Sequence, residues 1–241
     1  SFPTRRSSDL EKRALKTMIA REQEVAIAQS VTPRSTLREV LTPAVLLYTL
    51  AYFCLTNTLS AINIWTPQIL QSFNTGSSNI VIGLLAAIPQ FCTILGMIWW
   101  SRRSDRLKER KKHTILPYLF AAAGWMLASA TDHSLIQLLG IIMASTGSFT
   151  AMAIFWTTPD RVISLQSRAV ALAVINAIGN VGSAVSPLLI GILRDATGSF
   201  SSGLWFVAGL LVVGALVLTR IPMTQRDQQR NDHVPEPYRQ H

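Results

Sequence analysis

Long stretches of this sequence carry no Asp, Glu, Lys or Arg, and this feature constrains the fold more than any other. One stretch runs from Val40 to Ser101 and another from His133 to Pro159. A helix that crosses the hydrocarbon core of a bilayer needs about 20 predominantly apolar residues, so both stretches are long enough to do so. Only 15% of the 241 residues are charged, against roughly 25% in soluble domains. The chain is therefore predicted to be an all-α, multi-pass membrane protein rather than a soluble or disordered one.

Turn and charge signals divide the apolar stretches into six predicted transmembrane helices. These spans cover residues 43–68, 80–100, 114–131, 134–157, 169–193 and 203–221. Pro187 is expected to bend the fifth span, because proline removes a backbone donor inside a helix. Together the six spans form one predicted bundle over residues 43–221.

The remaining parts of the chain are polar. Residues 11–42 are predicted to be a segment outside the bilayer, and residues 222–241 a polar tail. Residues 1–10, SFPTRRSSDL, resemble the translation of a sequencing adapter. We expect these ten residues to be an artefact, joined in frame to a chain that begins partway through its gene.

Basic residues are distributed unequally between the two sides of the predicted spans. One side has six in 11–42, seven in 101–113, two in 158–168 and four from Arg220 onward, whereas the other side has only Arg194. Because cytoplasmic loops of membrane proteins are enriched in Lys and Arg, both termini are predicted to be cytoplasmic. The same rule accounts for the net charge of +9 without a nucleic-acid partner.

The basic link between the second and third spans has a charge pattern that favours a structural role. An acid, Asp105, is followed by Arg106 and Arg110 in a short connection. Asp105 can accept bonds from free amides at a helix start, and the arginines can interact with helix C-termini. These three residues are predicted to latch helix ends together. A solvated basic loop that merely satisfies the orientation rule is the alternative.

Several motifs resemble a known transporter family. The segment SDRLKERK at 104–111 is similar to the cytoplasmic signature loop of the major facilitator superfamily, with Ser101 and Lys108 in place of its usual glycines. FWTTP at 155–159, ALAVINAIGNVG at 171–182 and PLLIGILRDATG at 187–198 resemble the anion:cation symporter family within that superfamily. That family includes tartrate, phthalate, hexuronate and galactonate carriers.

The resemblance covers residues 11–221 and implies the C-terminal six-helix half of a twelve-helix carrier in the bacterial inner (plasma) membrane, with residues 11–42 as its cytoplasmic central loop. It implies symport of a small organic anion with protons, with the lipid bilayer and a missing N-terminal six-helix half as partners. A drug or sugar exporter of the same superfamily, or a membrane subunit that does not transport, is the alternative. No cluster of Cys, His and Asp suggests catalysis, a metal or another cofactor, so none of these is predicted.

The spans contain neutral hydrogen-bonding side chains but no ionisable group at mid-depth. This absence is informative, because ionisable residues inside membranes are costly and usually functional. The family resemblance implies that the groups for proton coupling belong to the other half. The candidate substrate-binding residues are Tyr52, Thr56, Gln90, Ser148, Asn176 and Asn180. Tyr52 and Thr56 share a helix face with Ser60 and Asn63. Each candidate could instead bond across packed helices, a contact worth about 0.6–2 kcal/mol, and both roles stay open.

Overall fold

A computed structural model describes residues 42–73, 76, 78–107, 110–131, 133–159, 162–163 and 168–221. The described residues form α1 (Pro43–Phe73), α2 (Asn79–Leu107), α3 (Arg110–Ser129), α4 (Ser134–Phe155), α5 (Arg168–Gly179), α6 (Val181–Thr197) and α7 (Ser201–Thr219). No strand occurs among them, and the predicted all-α fold is confirmed. The segments predicted over residues 1–10 and 222–241, and all of 11–42 except Thr42, lie outside the described residues.

Five helical stretches of the described chain are long and apolar enough to cross a membrane. They are Pro43–Ser72, Asn79–Arg103, Ser134–Phe155, Arg168–Thr197 and Ser201–Thr219. The remaining predicted span, 114–131, corresponds to α3, which has 20 residues and starts with Arg-Lys-Lys-His. α3 is less apolar because it begins with this polar run, whereas its centre, FAAAG, contains small residues that let helices approach closely. It packs mainly against α4 and α7.

The α3–α4 interface brings the two backbones into direct contact. A Cβ atom added at Gly124 would lie 2.6 Å from Gly140 O, and one added at Gly140 would lie 2.6 Å from Gly124 O. Further along the seam, a Cβ added at Gly147 would lie 2.6 Å from Pro117 O. Any side chain at these positions would push the helices apart. We conclude that α3 and α4 form one tightly packed pair.

The fifth predicted span, 169–193, contains a break that we did not predict. α5 ends at Gly179 and α6 begins at Val181, so Asn180 interrupts the apolar stretch near its middle. The N–H of Ser183 donates to Asn180 O at 3.0 Å, three residues back instead of four. Pro187, where a bend was expected, lies inside α6. Backbone groups released by such a break need partners from elsewhere in the protein.

Candidate functional site

Two hydroxyl groups of α1 supply hydrogen bonds to the broken helix. Thr56 Oγ1 donates to Gly179 O at 2.6 Å, and Ser60 Oγ donates to Ser183 O at 2.8 Å. In a continuous helix, Gly179 O would accept from the N–H of Ser183, which here donates to Asn180 O. Ser183 O would accept from residue 187, a proline without an N–H. The two hydroxyls thus serve one carbonyl that the break at Asn180 leaves without its usual donor and one that Pro187 leaves without its usual donor.

Thr56 is consequently part of the contact between α1 and the broken helix. The side chain is only 4% exposed, and its hydroxyl is occupied by Gly179. Gly182 brings the helices close, because a Cβ there would collide with Phe53 O and Thr56 Oγ1. The predicted substrate residue Thr56 therefore supports the neighbouring site by fixing the α5–α6 backbone.

Tyr52, Asn176 and Asn180 come together beside the break. Asn180 Nδ2 donates to the main-chain and side-chain oxygen atoms of Asn176, both at 2.8 Å, and Tyr52 OH donates to Asn176 Oδ1 at 3.4 Å. Tyr52 is buried, whereas both asparagines are exposed. With its oxygen atoms occupied, Asn176 presents its side-chain N–H groups to the surrounding space. An amide held in this way can donate to a carboxylate or hydroxyl oxygen.

Aromatic side chains form a wall next to the asparagine pair. The Tyr52 ring stacks on Phe155 with centroids 5.2 Å apart and meets the edge of Trp156 at 4.9 Å. The wall borders an open cavity of about 470 Å³, which lies within the range of roughly 300–1,000 Å³ for small-molecule sites. Its lining residues are Tyr52, Met152, Trp156, Leu172, Ala173 and Asn176. The cavity therefore combines aromatic faces with neutral hydrogen-bonding groups.

Other predicted substrate residues do not line this cavity. Ser148 is fully buried and donates to Ala144 O of its own helix at 2.7 Å. Gln90 is exposed on α2. Trp156, by contrast, lines the cavity although it was not among the predicted site residues. The FWTTP motif at 155–159 was the sequence feature that could have identified Trp156 as a site residue. Within the described ranges, no three His, Cys, Asp or Glu side chains come together as a metal site would require.

The predicted latch residues lie at the α2–α3 junction. Asp105 and Arg106 belong to the last turn of α2, and Arg110 is the first residue of α3, so the connection is shorter than the sequence indicated. Their side chains lie outside the described part of the chain, and the latch stays a prediction. At this end of α3, Lys111 Nζ donates to Thr219 O at 2.7 Å. A cation near a helix C-terminus is favourable, and this contact ties α3 to the end of α7.

An apolar helical bundle with a ligand-sized cavity between its helices is typical of membrane transporters. A family model described as Major Facilitator Superfamily matches residues 2–187. The chain belongs to the Major Facilitator Superfamily. The predicted family is confirmed, and it is a family of multi-pass membrane transporters rather than enzymes.

Similar proteins carry several transporter names. A putative tartrate transporter of Agrobacterium vitis is 36% identical over 188 residues, which are 76% of this chain and 41% of that protein. A quinolone resistance transporter of Acinetobacter baumannii is 34% identical over 190 residues, 79% of this chain and 43% of that protein. A probable galactarate/D-glucarate transporter of Escherichia coli K12 is 30% identical over 154 residues, which are 59% of this chain and 33% of that protein. This chain thus spans less than half the length of these relatives.

Proposed function

We propose that this chain forms one wall of a secondary transporter that carries a small organic anion together with protons. The observation that carries the proposal is the cavity in which Asn176 donors, the Tyr52 hydroxyl and the Trp156 ring meet beside the broken helix. The carboxylate and hydroxyl groups of a dicarboxylate or sugar acid match such neutral donors and acceptors. The names of the tartrate and galactarate/D-glucarate transporters among the relatives support this substrate class.

The wall has no charge of its own with which to hold an anion or move a proton. Among the residues that the structure describes, no Asp, Glu, Lys, Arg or His lines the cavity. Ionisable side chains inside membranes are typically the coupling groups of carriers. We infer that a second six-helix half supplies them and faces this cavity. The two halves then rock about the enclosed substrate in alternating access. Gln90 and Asn180, both exposed here, are candidate contacts in the space between the halves.

The orientation is part of the same proposal. The excess of Lys and Arg on one side of the spans supports cytoplasmic termini in a bacterial inner membrane. The Asp105–Arg106–Arg110 latch would then lie at the cytoplasmic end of α2 and α3. Among the described residues the cavity is lined from α1, α4, α5 and Trp156 and not from α2 or α3, so the latch is expected to control conformational exchange rather than substrate contact.

Asn176→Ala in the complete carrier tests the substrate site. Losing one neutral hydrogen bond costs about 0.5–1.5 kcal/mol, so the dissociation constant for tartrate should rise about two- to tenfold. Isothermal titration of the purified carrier with tartrate measures this change. The matched control is Asn63→Ala, which removes an exposed amide of α1 that does not line the cavity. Unchanged affinity in Asn176→Ala and Asn180→Ala, with lower thermal stability, would show that the pair only holds helices together.

Export of an aromatic drug is a second candidate, and the aromatic character of the wall favours it. Tyr52 and Trp156 line the cavity, and a quinolone resistance transporter is among the relatives. The two candidates predict opposite selectivity. Trp156→Leu should weaken quinolone binding more than tartrate binding if the drug is the substrate, whereas Asn176→Ala should weaken tartrate binding more. A carrier that binds neither compound and mediates no uptake would favour the non-transporting subunit.

A further inference from the structure

A second, smaller cavity lies at the end of the bundle where α1, α3 and α6 end and α4 and α7 begin. Its volume is about 280 Å³, and it is lined from all five of these helices and from the α6–α7 connection. It shares no lining residue with the cavity at Asn176. By the distribution of basic residues, this end faces away from the cytoplasm.

Arg194 gives this cavity a positive charge. It is the one Lys or Arg that the sequence has on this side of the predicted spans. Its guanidinium lies 4.6 Å from the centroid of the Phe200 ring, which in turn packs on Trp65 at 5.5 Å. Within the described part of the chain Arg194 pairs with no carboxylate, including the adjacent Asp195. The cation–π contact holds the guanidinium over the Phe200 ring, and its N–H groups can bind a carboxylate in a bidentate manner.

Gln137 adds a hydrogen-bond acceptor to the same cavity. The side chain is only 4% exposed, and its Nε2 donates to Thr131 O at 2.6 Å. Its Oε1 is buried and has no hydrogen-bond partner in the part of the chain that the structure describes. A buried acceptor without a donor is unfavourable, and such groups in folded proteins usually have a function or a missing partner. A hydroxyl group of a ligand would supply the donor.

We propose that this cavity binds a small hydroxycarboxylate, with the carboxylate on Arg194 and a hydroxyl donating to Gln137 Oε1. The volume lies just below the range of about 300–1,000 Å³ for drug-sized ligands, which favours a small metabolite over a quinolone-like compound. Binding of the carboxylate to Arg194 at this end would hold the anion before it reaches the cavity at Asn176. This capture role, although not the binding itself, rests on the proposed transport function.

Protection of a cysteine at the cavity tests the proposal with a local readout. Ser72 lines the cavity and is exposed, so Ser72→Cys can react with a maleimide, in a background in which Cys92→Ser removes the half-buried native thiol. L-tartrate should slow labelling of Ser72→Cys at least threefold in the complete carrier. Labelling of Ala196→Cys, at an exposed position that does not line the cavity, should not change with tartrate.

Variants of Arg194 separate carboxylate binding from a general effect on the fold. Protection should be lost in Arg194→Gln and strongly reduced in Arg194→Lys, which keeps the charge but not the planar fork. It should persist in Asn176→Ala. An unchanged labelling rate without tartrate shows that each variant is folded. Equal protection with and without the Arg194 guanidinium, or no protection in the unmodified cavity, overturns the proposal. Protection without any uptake would instead count against the transport function alone.

Discussion

Removing the Ser60 hydroxyl should loosen α1 from α6, and the loss should depend on Pro187. Ser60 Oγ donates at 2.8 Å to Ser183 O, the carbonyl that Pro187 deprives of its helical donor. Hydrogen bonds between membrane helices average about 0.6 kcal/mol and reach about 1.7 kcal/mol in double-mutant cycles. The carbonyl of Ser183 has no backbone donor to fall back on, so we expect Ser60→Ala to cost about 1–1.7 kcal/mol, near the top of that range.

Pro187→Ala provides the second arm of a double-mutant cycle. Alanine at 187 has an N–H that can donate to Ser183 O along the helix. In that background the Ser60 hydroxyl becomes redundant, and Ser60→Ala should cost less than about 0.5 kcal/mol, the level of ordinary surface substitutions. The free energy of unfolding of the four proteins can be measured by reversible denaturation in mixed detergent–lipid micelles.

A matched serine provides the control. Ser129 Oγ donates to Met126 O, which also accepts from the N–H of Ala130. Ser129→Ala should therefore cost little in either background. The reasoning fails if Ser60→Ala costs the same, within the additivity limit of about 0.3–0.5 kcal/mol, with proline and with alanine at 187.

Two further variants test the packing and the cytoplasmic latch. Gly140→Leu should prevent folding, because even a Cβ at this position would lie 2.6 Å from Gly124 O. Gly209→Leu is the control, because a Cβ at Gly209 faces open space and the variant should be tolerated. The yield after detergent extraction and the thermal stability distinguish the two variants. Asp105→Asn in the complete carrier should slow tartrate turnover more than it changes tartrate affinity, because the residue lies at the α2–α3 junction; a tenfold loss of affinity with normal turnover would contradict the latch.

The helical class was predictable because the bilayer imposes it directly on composition. Charge-free apolar stretches leave few structures other than spanning helices, and five of the six predicted spans meet the length and apolarity requirement in the structure. The sixth, α3, falls short because it begins with Arg-Lys-Lys-His, and its small central residues pack closely against α4. Local sequence thus fixes which segments are helical more readily than it fixes which neighbours they face.

The break at Asn180 shows why local sequence was insufficient. Proline is the one residue that removes a backbone donor by itself, so Pro187 attracted the prediction of a bend. The interruption at Asn180 is instead accompanied by a donor from Thr56, which lies 123 residues from Gly179 along the chain. Such a distant pairing leaves no periodic signal in the fifth span.

Local sequence also identified only some of the residues in the candidate site. Asn176 and Asn180 were chosen because a polar face on an apolar helix is expected to point into the protein. In the structure they meet beside Tyr52 but are exposed, and their role in substrate binding stays a prediction. The hydrogen bond of Ser148 was not predicted. A serine hydroxyl can donate to the carbonyl four residues back in its own helix, and Ser148 does so with Ala144. Trp156 was overlooked because tryptophan is common near membrane interfaces irrespective of ligands.

The break at Asn180 and the Asn176–Asn180 pair are linked by hydrogen bonds. Thr56 holds Gly179 O, the carbonyl immediately before Asn180, and Asn180 in turn binds both oxygen atoms of Asn176. The position of the Asn176 amide is therefore set by α1 through the break, on the side where Tyr52 from the same helix completes the wall. Any rotation of α1 against the α5–α6 span has to change the hydroxyl bonds and the asparagine geometry together. A carrier that must alternate between two states could use this linkage to couple helix motion to its hold on the substrate.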